Sequence, residues 1–151
     1  GRASLRSYWA QGSSLLMGRG EPLNARTSAA MAKVRQSRTT PEDRVAAALR
    51  RIGAHYRRNV RNLPGRPDFA NRSRGWVIQV HGCFWHQHDC KRGTVPAHNR
   101  EAWLAKFAQN RARDETVENS LHQLGLSVLT IWECETRDSD YLVRVLETHV
   151  R

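Results

Sequence analysis

No stretch of this 151-residue chain approaches the ~20 consecutive apolar residues that crossing a bilayer takes, so no membrane-spanning role is expected. SSLLMG, near the N-terminus, is too short and too weakly apolar for a secretory core, which points to a soluble, intracellular protein. Acidic residues are scarce: 14 Asp plus Glu stand against 25 Lys plus Arg, for a formal charge of +11. The imbalance favours a polyanionic partner, nucleic acid first, bound less tightly as salt rises. Cysteine is sparse and odd in number. Three residues, Cys83, Cys90 and Cys134, cannot form a purely disulfide framework, and with His88 nearby they suggest a Cys3His metal site in a reducing compartment. The length suits one compact domain with a real core and is short for two.

The first 28 residues or so are rich in Gly, Ser and Arg without a sustained period, which reads as a basic arm. Thr40 before Pro41, followed by Glu42 and Asp43, predicts a helix start, with Val45, Ala48, Leu49 and Ile52 at helical spacing and Gly53 as the stop. Residues 55–60 predict a short strand. Residues 68–71 and 76–80 predict two more, joined by a tight turn over 73–75. Pro96 is expected to open a long helix carrying Leu104, Phe107, Ala108, Val117, Leu121 and Leu124 and ending at Gly125. Residues 126–132 predict a buried strand, and Asp138 caps a last helix with Leu142, Val145 and Leu146 on one face. The sum is a mixed α/β domain.

The densest chemistry lies in HGCFWHQHDC, residues 81–90. Thiolates and imidazoles suit zinc, which takes four such donors in a tetrahedron. Cys83, His88 and Cys90 supply three from one turn, and Cys134 in IWEC closes the site from a distant strand; His86 or Asp89 could replace His88 on spacing alone. Upstream, LPGRPDF sets Asp68 at the head of a strand after a rigid turn, where a carboxylate can hold magnesium beside a phosphate. The partner strand WVIQVHG brings the Val80 carbonyl and His81 alongside. His86 is the natural proton carrier, since imidazole titrates near neutrality.

LPGRPDF, VHGCFWHQHDC and VLTIWECE, in that order, resemble the very short patch repair endonucleases, bacterial enzymes that nick DNA beside a T:G mismatch. The resemblance runs from about residue 27 to 148. It implies a zinc-containing variant of the restriction-endonuclease core, within a nuclease domain over residues 27–151 that follows an arm over 1–26. The acidic-x-lysine signature of the wider fold is missing, and Gln79-Val80-His81 stands in its place. By resemblance, Asp68 and the Val80 carbonyl bind magnesium, although the family usually has threonine at that point. His86 is then the catalytic histidine, His81 lies next to the scissile phosphate, Glu42 helps hold water in the metal shell, and Asp114 stands near the histidines. Zinc falls to Cys83, His88, Cys90 and Cys134.

Phe84 and Trp85, between a zinc ligand and His86, suit a wedge that unstacks deformable base steps. In the resembling family, the aromatics matching Phe84, Trp85 and Trp103 intercalate beside the mismatch; Trp103 could instead pair with Phe107 one turn later on a buried face. Arg57, Arg58, Arg61, Arg66, Arg72 and Arg74 are expected to cluster at the active edge, with Arg66, Arg72 and Arg74 on DNA phosphates. The expected activity is magnesium-dependent nicking of double-stranded DNA by a monomer at the bacterial nucleoid, with mismatch-repair proteins or a neighbouring cytosine methyltransferase as partners. A nickase of a restriction or phage-defence system is the alternative. A zinc-stabilised DNA-binding module without catalysis is the rival, and only Asp68 together with His86 argues against it.

Overall fold

A computed structural model describes residues 39–151. The arm expected over 1–26 and the start of the expected domain lie outside them. Helix α1 spans Thr40–Arg51. Its N-cap is Thr39 and not Thr40, so Pro41 falls within the first turn, where its missing N–H costs nothing. Glu42 and Asp43 in that turn, with Arg50 and Arg51 in the last, complement the helix dipole. Gly53, at φ +69°, ends the helix as expected.

Four strands follow: β1 (Arg57–Arg58), β2 (Phe69–Asn71), β3 (Trp76–His81) and β4 (Ser127–Trp132). They form one mixed sheet in the order β1-β2-β3-β4, antiparallel except for the parallel β3–β4 pair. The strand expected over 55–60 shrinks to two residues. Asn59, at φ +52°, turns the chain away, and its N–H donates to the Asp68 carbonyl. A parallel pair needs a long crossover, here helix α2 (Arg100–Gln123). Helix α2 starts four residues after Pro96, and Leu124 and Gly125 close it. Helix α3 (Ser139–Val150) is capped by Asp138, whose side chain accepts from the Tyr141 N–H. Among the described residues, no helix is long and apolar enough to cross a membrane.

The sheet separates two cores. Phe69, Trp76, Ile78 and Ile131 face α1 and α3, meeting Val45, Leu49, Leu142 and Leu146. Ala70 and Val77 face the other way, meeting Leu63, Leu121 and Leu126, with Val117 of α2 packed against them. Because side chains alternate along a strand, Gln79 and His81 share the α2 side with Val77. Along α2, Phe107 and Leu121 of the expected apolar set are buried beside Trp103, Lys106 and Asn110, whereas Leu104, and Leu124 at the C-cap, are exposed. The expectation of a buried last strand fails. Strand β4 is half-buried, with Ile131 alone fully covered, because it lies at one edge of the described sheet.

Candidate active site and metal centre

The β3–β4 register builds a Cys/His cluster that could hold a metal. His81 pairs with Trp132, and the Glu133 N–H extends the ladder to the His81 carbonyl. Two residues beyond that pair, on either strand, stand Cys83 and Cys134, so parallel pairing alone sets two of the four donors side by side. The Cys134 N–H points at Cys83 Sγ at 3.4 Å, and Cys134 Sγ lies 3.4 Å from His88 Nδ1. Turns over 82–90 bring round the remaining donors: the His88 N–H donates to the Cys83 carbonyl and the Cys90 N–H to the His88 carbonyl. Gly93 closes the loop so tightly that a Cβ there would stand 2.0 Å from the His88 oxygen.

The donor atoms of Cys83, His88, Cys90 and Cys134 lie within 4.8 Å of one another. Donors about 2.0–2.3 Å from a tetrahedral zinc would be roughly 3.5–3.8 Å apart, so the cluster fits a metal after slight contraction. Of the two alternatives for the fourth donor, His86 belongs to a different cluster and Asp89 is exposed. Burial pushes the Cys83 thiol up to about 12. Burial would raise Cys90 as well, but the Arg92 N–H, the His88 and Cys83 side chains and the Gly93 N–H outweigh it and bring that thiol down to about 7.

A second cluster joins His81, His86 and Asp114 on the α2 side of the sheet. His86 Nδ1 donates to Asp114 Oδ2 at 2.5 Å. An ionised carboxylate only accepts, so this contact places the ring hydrogen on Nδ1 and leaves Nε2 able to take a proton. His81 stacks on His86, with ring centroids 3.9 Å apart and planes 8° from parallel. Burial, then the neighbouring His86, hold His81 well below the usual histidine range. Trp132 joins the two clusters: it stacks on His88 at 4.4 Å and turns an edge towards His81 and His86.

Asp68 is buried at the head of β2, and its Oδ2 accepts the Val80 N–H at 2.7 Å. The carboxylate therefore lies against the backbone one residue before His81. Glu42, also buried, is 3.8 Å from Arg58 Nη2, and that guanidinium also meets Asp43 at 3.2 Å. Arg58 is thus engaged by acids of α1. Arg66 is exposed two residues before Asp68. Arg72 and Arg74 are exposed too but sit in the β2–β3 turn, at the opposite end of the hairpin from Asp68 and His81. The antiparallel hairpin thus carries these two arginines away from Asp68 and His81.

Phe84 and Trp85 are half-buried and meet edge to face at 5.1 Å. Trp103 is only 5% exposed and stacks on Phe107 at 5.6 Å, which is the packed pairing anticipated beside its wedge role. Two buried residues of α2 went unnoticed in the sequence. Burial lowers Lys106, and Asn110 donates to the Trp85 carbonyl at 2.8 Å. The available signal was that Asn110 precedes Asp114 by one helical turn.

Residues 23–92 match the family described as DNA mismatch endonuclease Vsr. The type II nicking enzyme V.XorIIP of Xanthomonas oryzae is 42% identical over 108 residues, covering 72% of this chain and 79% of that protein. V.NmeAIP of Neisseria meningitidis, another type II nicking enzyme, is 35% identical over 114 residues, 76% of this chain and 81% of its own length. The DNA mismatch endonuclease Vsr of Escherichia coli K12 is 42% identical over 104 residues, 69% and 67% of the two chains. With these identities spanning most of both partners, the chain belongs to the Vsr family of DNA endonucleases.

Proposed function

We propose that the chain nicks one strand of duplex DNA at T:G mismatches, by magnesium-dependent hydrolysis of a phosphodiester next to Asp68 and His86. The observation that carries this reading is the His86–Asp114 contact, with the His86 ring stacked on His81 and the buried Asp68 carboxylate bonded to the backbone one residue before His81. A module that only binds DNA has no use for an imidazole held in one tautomer by an acid. Asp68 and the Val80 carbonyl would hold magnesium, an oxygen-seeking ion that would supply polarisation of the phosphate when bound. His86 Nε2 takes or gives the proton, Asp114 fixes its ring, neutral His81 lies beside the phosphate, and Glu42 orders water at the site. Sulfur with nitrogen at Cys83, His88, Cys90 and Cys134 suits zinc, and oxygen donors at Asp68 and the Val80 carbonyl suit magnesium.

In this reading the fold is the zinc-containing variant of the restriction-endonuclease core, and the basic segment expected over residues 1–26, which lies outside the described residues, contacts DNA. Phe84 and Trp85 wedge the duplex, joined by Trp103 if the duplex draws it from its packed position. Arg66 contacts phosphate near the cut, and Arg72 and Arg74 meet the backbone farther along the duplex. The enzyme works as a monomer on cytoplasmic, nucleoid DNA, alongside mismatch-repair proteins or a cytosine methyltransferase.

A second reading has support in the names of V.XorIIP and V.NmeAIP, both type II nicking enzymes: the target is set by a restriction system. Nicking of labelled duplexes, paired or carrying T:G in several contexts, with magnesium or EDTA, separates the two. Cutting at T:G that Asp68→Ala and His86→Ala each abolish, in variants that keep their zinc, is the expected result. Cutting restricted to one system's recognition sequence would favour the second reading, and no cutting of any duplex would defeat both.

A further inference from the structure

Asn110 is 2% exposed, yet its amide is only half used: Nδ2 donates to the Trp85 carbonyl at 2.8 Å, while Oδ1 has no hydrogen-bond partner. A leucine of similar volume would fill the same space without burying an unanswered acceptor, so packing does not account for an amide here. One turn along α2, Asp114 accepts from His86 Nδ1. Residues four apart share a helix face, so one rigid element grips two consecutive residues of the loop, Trp85 and His86. The peptide group between those residues is held from both sides, because its carbonyl meets Asn110 and its N–H donates to the Gly82 carbonyl at 3.2 Å. A displaced Trp85 would rotate that peptide plane and swing the His86 ring away from Asp114. The aromatic contacts of Phe84 with Trp103 and Phe107 lie on the turns of α2 just before Asn110, so wedge, clamp and acid follow one another along the helix.

We propose that Asn110 is a positioning residue: by holding the Trp85 carbonyl it couples the seating of the wedge to the placement of His86, so that hydrolysis follows a correctly inserted Trp85. The inference rests on the wedge and proton-carrier roles proposed above.

The test is a double-substitution cycle, Asn110→Leu with Trp85→Ala, read as the single-turnover nicking rate on the duplex the wild type cuts fastest, with affinity for that duplex measured in parallel. Asn110→Leu is expected to slow nicking by about tenfold or more while changing affinity less than about threefold, and to slow the Trp85→Ala enzyme by less than about threefold. A merely structural role would give the same factor in both backgrounds, and that result, or a loss confined to affinity, overturns the clamp. If Asn110→Leu melts early, Asn110→Ser replaces it under the same criteria. A wild type that cuts nothing, or a Trp85→Ala enzyme as fast as wild type, instead defeats the underlying wedge-and-nickase reading and takes the clamp with it.

Discussion

A Cβ built on Gly65 would stand 2.3 Å from Cγ1 of Val117, so the turn that leads into Asp68 and the helix that carries Asp114 touch with no room for a side chain between them. Gly65 lies three residues before Asp68, and Val117 three after Asp114. Asp68 and Asp114 are thereby tied to one another through the contact of the Gly65 backbone with the Val117 side chain.

Gly65→Ala is therefore expected to destabilise the fold by about 1–3 kcal/mol through overpacking, and further because Gly65 sits at φ +69°. Thermal melting measures the loss. Nicking should fall by more than the unfolded fraction explains, since the two halves of the site are pushed apart, and a rate that tracks folding alone would count against the coupling.

Asp114→Asn puts an amide beside His86 Nδ1 and allows the amide N–H to face the ring, favouring the tautomer with its hydrogen on Nε2. We expect the nicking rate to drop by about 100- to 10,000-fold with little change in duplex affinity. Single-turnover kinetics and a binding titration separate the two, and an unimpaired rate would remove Asp114 from the site.

Cys134 joins two segments that are 51 residues apart in sequence through the contact with Cys83. The purified chain is expected to carry one equivalent of zinc by elemental analysis. Cys134→Ser, or prolonged chelation, should strip it and abolish the cooperative melt, because metal binding supplies folding energy, of order 10–16 kcal/mol in small zinc peptides. A metal-free chain that melts as sharply as wild type would show that the cluster is no structural metal centre.

Trp103 and Trp85 should separate by stability. Trp103→Ala removes a packed ring and is expected to cost about 3–5 kcal/mol, whereas half-buried Trp85 should cost less than about 2. Chemical denaturation of the two variants checks this. Equal losses would make Trp85 a core residue and weaken its role as a wedge.

His149 docks the end of α3 on the sheet: Nε2 donates to the Val77 carbonyl at 3.1 Å, and Nδ1 lies 3.4 Å from Ser127 Oγ. Burial lowers its proton affinity below that of an ordinary histidine. The unfolded chain then holds this proton more readily than the folded one, so its contribution to stability is complete above about pH 6.5 and declines as the pH falls below that value. Melting temperatures between pH 5 and 8 should fall on the acid side for wild type and more gently for His149→Gln. Identical slopes would exclude His149, leaving buried His81, which is shifted in the same direction.

Much of the site was legible along the chain because chemistry at short range shows in spacing. Cys83, His88 and Cys90 lie within one turn-rich stretch, Asp68 follows a Pro-Gly-Arg-Pro turn, and Asp138 caps α3 as its position implied. Element order followed in the same way from periodicity and from Gly53 and Gly125. The pairing that brings Cys134 to Cys83, by contrast, depends on the parallel β3–β4 register, and only the fold set Trp132 between the two histidine clusters. Leu104 and Leu124 share the apolar spacing of Phe107 and Leu121 yet are exposed, because which positions of a helix are covered depends on the sheet and the 82–90 loop it meets as well as on its periodicity. The arginines of the β2–β3 turn look close to Asp68 in sequence, but an antiparallel hairpin carries them to its far end. Residue types and local spacing thus determined what chemistry this protein carries. Strand register and the face of one long helix, which rest on contacts between residues distant in the chain, decided which of those groups meet.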